Sequence, residues 1–140
     1  MLIVSDSAAL SSLNLERPAV VRDVAAVSTD PIDLKHLGRY TLGDVELEQE
    51  VLGLFAGQMP ETIKALKGAA NDKDWQMAAH TLKGSGRAIG AWRLADLALQ
   101  AENIRGAFDR AAAANIVHQI EAAAADAVRY IGALGQAKAG

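Results

Sequence analysis

The chain has 140 residues and a net charge of −3, and it contains no cysteine. That length suits one domain with a sizeable core. The lack of cysteine excludes disulfides and cysteine-ligated metal sites, and it is compatible with a reducing cytoplasm. The mild acidic excess argues against a dedicated nucleic-acid-binding protein, and no apolar run reaches the roughly 18 residues of a membrane-spanning helix, so we expect a cytoplasmic protein that binds neither nucleic acid nor membrane.

The first predicted element is a short helix that follows an N-terminal segment without regular patterning. Residues 1–28 lack sustained hydrophobic periodicity and are predicted to be flexible, although the apolar patches at 20–21 and 24–27 could instead pack on the domain. The run Thr29-Asp30-Pro31 places a capping side chain before a proline, which is typical of a helix start. We therefore expect the domain to occupy residues 29–137 and to open with a short helix that includes Tyr40.

Four longer helices are predicted after the short one. Aromatic residues make up only 4% of the chain, whereas the helix formers alanine and leucine are abundant. Apolar residues recur every three or four positions, as on the buried face of a helix, and Asp44 can cap the first of these helices. The predicted helices span about residues 45–68, 73–89, 91–105 and 109–134. Because the links between them are short, the sequence predicts an all-α fold, an up-down antiparallel four-helix bundle with a short extra N-terminal helix.

The second of these long helices, at about residues 73–89, carries a histidine on its predicted outer face. Its apolar residues, including Leu82, share one side of a helical wheel, and His80 lies about 160° away from Leu82. Histidine can present a neutral imidazole with a free lone pair near neutral pH, which suits a nucleophile. The residues that share the outer face with His80 are polar, basic or small: Lys73, Gln76, Lys83, Gly84 and Arg87.

Two glycines inside this helix need an explanation, since each costs up to about 1 kcal/mol relative to alanine. Gly86 falls on the inner face, where close packing against a neighbouring helix would account for it. Gly84 lies one turn after His80 on the exposed face, where a missing side chain lets another molecule approach the backbone. Lys83 is three residues from His80 and could pair with a phosphoryl group there, while Arg87 could reinforce that contact or meet an acidic partner.

The same helix resembles the phosphorylation-site helix of histidine phosphotransfer (HPt) domains. The family pattern is H-x-L-K-G-S-[SA]-x-x-x-G, and the chain reads HTLKGSG from His80, followed by Gly90-Ala91 and Leu94. The departure is Gly86, where the family more often has serine or alanine. The resemblance extends over roughly residues 30–137 in the order and spacing of the helices.

The resemblance implies a histidine phosphotransfer protein of a multistep two-component phosphorelay. His80 would accept a phosphoryl group from the phosphoaspartate of a receiver domain, in a response regulator or a hybrid histidine kinase, and pass it to another receiver. Lys83 would balance the phosphoryl charge, and Gly84 would leave room for docking. The partner-binding residues would be Lys73, Gln76, Gly84 and Arg87, with Ser85 and Gly86 packed near the site.

The resemblance also implies what the partner must supply. We expect no metal or cofactor on this chain, because the receiver domain would bring its own Mg²⁺ and acidic pocket. The sequence has no glycine-rich nucleotide motif, so we expect no ATP-dependent kinase activity. We expect the phosphocarrier to be a monomer.

Two other functions remain open at this point. One is a dimeric phosphotransferase like the histidine-containing domain of a sensor kinase, but those carry an acidic residue where this chain has Thr81. The other is a non-catalytic helical adaptor in which His80 is incidental. The remaining histidines, His36 and His118, are predicted to be structural or surface residues because their spacing suits no metal site. Trp75 and Trp92 are predicted to pack in the core or at helix ends.

Overall fold

Among the residues that the structure describes, capping side chains begin four of the five helices. The Asp33 carboxylate accepts a hydrogen bond from the His36 amide at 3.2 Å, and the Asp44 carboxylate accepts one from the Leu47 amide at 3.1 Å. Asn71 and Asp109 cap two later helices in the same way. These side chains satisfy amides that have no partner within the first turn, which is why the helices begin where they do.

The computed structural model describes residues 30–105 and 109–139, and the predicted flexible segment 1–28 lies outside them. Within the described residues there is no strand, which confirms the all-α prediction. The helices are α1 (Leu34–Thr41), α2 (Val45–Lys67), α3 (Asp72–Ile89), α4 (Trp92–Glu102) and α5 (Arg110–Ala139). None of them is long and apolar enough to cross a membrane.

The helix boundaries differ from the predicted ones at three places. The start at Thr29-Asp30-Pro31 is wrong, because Asp33 provides the cap and α1 begins only at Leu34. The end of α4 lies at Glu102, where the Asn103 amide turns back to bond the last carbonyls, and not at about residue 105. The last helix continues past Leu134 to Ala139.

Helices α2 to α5 form a closed ring. Each packs against the next, and α5 packs against α2. Helix α1 packs mainly on α2 and α3, and its His36 ring also contacts Trp92 at the start of α4. Helices α3 and α4 run antiparallel: Trp75 near the start of α3 donates a 2.7 Å hydrogen bond to the carbonyl of Ala101 near the end of α4. This arrangement is the predicted four-helix bundle with a short extra N-terminal helix.

Small residues let the helices approach closely, and larger aliphatic ones fill the centre. A β-carbon on Gly86 would lie 3.2 Å from the Ala91 carbonyl oxygen and 3.2 Å from the Ala95 side chain. The predicted close packing of Gly86 against a neighbouring helix is therefore confirmed, and that helix is α4. The largest side chains with almost no exposure are Ile32, Leu37, Leu66, Leu82, Leu94 and Ile120.

Candidate functional site

The His80 imidazole projects from the middle of α3 into solvent. Its side chain is 72% exposed, in agreement with the helical wheel, whereas Leu82 two residues later is fully buried. Lys73, Gln76 and Arg87 are also exposed. The structure therefore brings these side chains onto one outward face of α3 around His80.

A carboxylate that the sequence analysis missed lies beside His80. Glu102, the last residue of α4, has its Oε2 atom 2.9 Å from His80 Nδ1 and its Oε1 atom 2.6 Å from Lys83 Nζ. The Glu102 side chain is only 19% exposed. No local motif connects residues 80 and 102. The predicted antiparallel pairing of the third and fourth helices was the one signal that could have brought them together.

Lys83 does not lie freely on the outer face as predicted. Its side chain is only 16% exposed and is held in the ion pair with Glu102. The reason is the position of Lys83 around the axis of α3. It lies about 60° from His80 on the side that faces α4, where its ammonium group pairs with the Glu102 carboxylate. The freely exposed cations of this face are Lys73 and Arg87, for which no ion pair is recorded among the described residues.

The Glu102 carboxylate is ionised and fixes the proton on His80. Partial burial is the largest influence and opposes ionisation, but hydrogen bonds from Lys83 and His80 outweigh it and lower the pKa of Glu102 below its ordinary value. An ionised carboxylate can only accept hydrogen bonds, so Nδ1 of His80 must carry the proton. In the neutral ring the lone pair then lies on Nε2.

The comparison with protein families identifies the family to which this helical bundle belongs. The family model described as the Hpt domain matches residues 50–130, more than half of the chain. The chain belongs to the Hpt domain family. It therefore has a histidine phosphotransfer role in phosphorelay signalling. Neither the curated proteins nor the solved structures contain a significant match to it.

The matched part of the Hpt domain contains all of α3 and α4, and hence His80, Lys83 and Glu102. It also contains the two glycines of α3. A β-carbon on Gly84 would meet nothing within 4 Å, so this backbone is open to another molecule. Ser85 is half-buried next to the close contact at Gly86. Gly84 thus fits a docking role, while Gly86 serves the packing of the helices.

A second histidine of the chain, His36, ties α1 to the C-terminal end of α3. Its Nε2 atom donates a 2.9 Å hydrogen bond to the carbonyl of Arg87, and its ring packs edge-on against Trp92 and Tyr40. Trp92 in turn donates to the Asp33 carboxylate at 3.0 Å. The predicted structural role of His36 agrees with these contacts. His118 is exposed on α5, and among the described residues no three potential metal ligands cluster.

Proposed function

We propose that this Hpt domain accepts a phosphoryl group on His80 from the phosphoaspartate of a receiver domain and passes it to a second receiver. The observation that carries the proposal is the His80–Glu102 pair: an exposed imidazole whose Nδ1 is held by a carboxylate, so that Nε2 offers its lone pair to solvent. A neutral, oriented imidazole nitrogen at a protein surface is suited to attack a group presented by another protein.

The transfer is an in-line displacement in which one bond forms and one breaks. The Nε2 lone pair of His80 attacks phosphorus while the bond from phosphorus to the aspartyl oxygen breaks, and the partner's carboxylate leaves with that electron pair. The ring retains its proton on Nδ1 and becomes a phosphoimidazolium, whose positive charge the Glu102 carboxylate offsets. In the return direction the phosphorus–nitrogen bond breaks and neutral imidazole leaves. Positioning and charge neutralisation supply the catalysis.

Lys83 is the first residue that would neutralise the negative charge of the phosphoryl group. Lys83 lies one turn from His80 and is held close by Glu102, so its ammonium can turn from the carboxylate toward phosphoryl oxygens. The exposed Lys73 and Arg87 extend the positive charge along the same face. An acidic partner surface is complementary to that face.

The receiver domain would dock over the open backbone at Gly84. Lys73, Gln76 and Arg87 border that opening on the outward face of α3. In this proposal the partner supplies Mg²⁺ and the acidic pocket that holds its aspartate, and the Hpt domain acts as a monomer without ATP-dependent kinase activity.

The test is phosphoryl transfer to the full chain from radiolabelled phospho-receiver proteins. We expect an acid-labile, base-stable label that is lost in His80→Gln and retained in His118→Gln, which removes an exposed histidine from α5 instead. Because His80 is exposed, His80→Gln should keep its helical content and melting temperature. If the folded protein accepts no label from any receiver, that result favours the alternative of a non-catalytic adaptor. If the chain is a dimer that labels itself, that result favours the alternative of a dimeric phosphotransferase like the histidine-containing domain of a sensor kinase.

A further inference from the structure

Large apolar side chains are exposed where α1 turns into α2. Tyr40 is 68% exposed and Leu42 is 90% exposed, and Val45 and Leu47 are exposed over about half of their surface or less. We call residues 40–50 the α1–α2 corner. Four exposed apolar residues within eight positions form a concentrated patch at one end of the bundle. Such patches on a protein surface mark interaction sites when they are rimmed by polar residues.

The backbone at Leu42 makes the exposure harder to explain by folding alone. Leu42 ends α1 with φ 53° and ψ 33°, the left-handed conformation that glycine adopts without strain. Its side chain packs against almost nothing in the domain. A glycine at this position would end the helix with less backbone strain. The contacts of the leucine side chain within the described structure do not offset that strain.

Acidic side chains outnumber basic ones around the patch, where Arg39 lies in the last turn of α1. Residues 40–63 contain no lysine, arginine or histidine, while Asp44, Glu46, Glu48 and Glu50 lie in the corner. Asp44 caps α2, and Glu46 and Glu48 lie in its first turn, where acidic residues favour the helix. Those roles explain the acids but not the apolar side chains between them. The corner therefore has the opposite charge to the His80 face of α3.

We propose that the α1–α2 corner docks a protein segment whose apolar side chains are flanked by lysine and arginine. A second copy of the chain fits poorly, because two corners would bring the same carboxylates face to face. Most of the corner, residues 40–49, lies outside the part of the chain that matches the Hpt family model, so the family's common fold does not account for it.

The corner borders the far end of the His80 face, near Arg87, and does not include His80 itself. Tyr40 packs on His36, which bonds the Arg87 carbonyl, and Arg87 lies about 10 Å along α3 from His80. A basic segment bound at the corner therefore leaves His80 open to an acidic receiver. The Hpt domain would be anchored beside one protein while it exchanges phosphoryl groups with another.

The test uses the full chain, ¹⁵N-labelled, and two synthetic amphipathic peptides of about 16 residues that share the same leucines. One peptide carries lysine at its polar positions and the other carries glutamate. We expect the lysine peptide alone to shift amides of residues 39–51, and not those of 80–87, with a Kd that rises with salt. Leu42→Gly should weaken this binding about tenfold or more without lowering the melting temperature. The matched control is Leu54→Gln, which changes an exposed leucine of α2 outside the corner. This variant should bind the lysine peptide as the parent does.

Several results would overturn the proposal. They are equal binding of both peptides, shifts that map elsewhere, and no binding to either peptide. Coverage of the corner by the chain itself would also overturn it, and would appear as shifts at residues 40–47 when residues 1–29 are deleted without any peptide. Self-association that Leu42→Gly abolishes would assign the corner to a second copy instead.

Discussion

At the level of single residues, the His80 imidazole and the Glu102 carboxylate act as one unit. The carboxylate, held by Lys83, accepts from Nδ1 and so sets which nitrogen carries the proton. This contact joins the middle of α3 to the last residue of α4. Glu102 is therefore a positioning residue in the proposed transfer, since it acts through His80.

The first prediction concerns the tautomer of His80. In Glu102→Gln the amide can either accept from Nδ1 or donate to it, so the imidazole should become a mixture of both tautomers. We expect phosphoryl acceptance to slow by about 10- to 100-fold, as when other carboxylates that orient a histidine are removed. The ¹⁵N shifts of the His80 ring measure the tautomer directly. The control Glu121→Gln removes the carboxylate that pairs with Lys67 and should change neither reading. An unchanged tautomer would exclude the positioning role.

A second prediction follows from the lowered pKa of Glu102. Because the folded state favours its ionised form, Glu102 stabilises the fold above its ordinary pKa of 4.5, and this stabilisation is lost as pH falls through the folded pKa. The free energy of unfolding should therefore be higher for the parent than for Glu102→Gln at neutral pH. The difference should narrow as pH falls below 4.5. Urea unfolding across this range measures it, and a difference independent of pH would contradict the assignment.

At the level of helices, the two glycines of α3 lie in different surroundings. A β-carbon at Gly84 meets open space, whereas one at Gly86 meets the backbone of α4 at 3.2 Å. The same substitution therefore has opposite effects at positions only two residues apart.

The third prediction is that Gly84→Ala stabilises the domain by up to about 1 kcal/mol, through helix propensity alone. Gly86→Ala should destabilise it by about 1–3 kcal/mol, because the Ala91 carbonyl cannot easily move away. Thermal or urea unfolding of both variants gives the comparison. A bulkier Gly84→Gln should keep the stability and weaken transfer from a receiver. An unaltered transfer rate would remove the docking explanation for Gly84.

The sequence predicted α2 and α3 closely because their signals are local. Asp44 and Gly90 mark ends, and the apolar spacing marks the buried faces. The outward direction of His80 follows from the same periodicity. Glu102 escaped prediction because its contact depends on how far α4 extends along α3, which is a tertiary property. The burial of Lys83 escaped for the same reason, since the wheel gives its direction but not the carboxylate that meets it.

The start of α1 was predicted wrongly because two segments offer capping aspartates. Asp30-Pro31 fits the local pattern of a helix start, yet residues 30–32 form bends and the helix begins only after Asp33. The Asp33 carboxylate bonds both the His36 amide and Trp92, and the Asp33 amide donates to the carbonyl of Gly90 at 2.9 Å. Contacts far along the sequence thus select the later cap.

At the level of the whole molecule, α1 is fastened to the bundle at the junction of α3 and α4. Gly90 has φ +81°, and a β-carbon there would lie 2.8 Å from the Asp33 carbonyl oxygen. The close approach explains why glycine separates these two helices. Burial is the largest influence on the Asp33 carboxyl and opposes its ionisation, but hydrogen bonds from Trp92 and His36 outweigh it and lower its pKa. One residue therefore holds three elements together.

The last prediction tests whether α1 opens separately from the bundle. Asp33→Ala removes the cap of α1 and the acceptor of Trp92, at a cost of about 1–3 kcal/mol. Because α1 is short and lies outside the ring of the four long helices, we expect the loss to appear as faster hydrogen exchange in residues 34–41. Exchange in α5 should change little, since α5 packs on α2 and α4 and not on α1 in the described part of the chain. The control Asp44→Ala removes the cap of α2 and should accelerate exchange at the start of that helix instead. Uniformly faster exchange throughout the chain would mean that α1 and the bundle unfold as one cooperative unit.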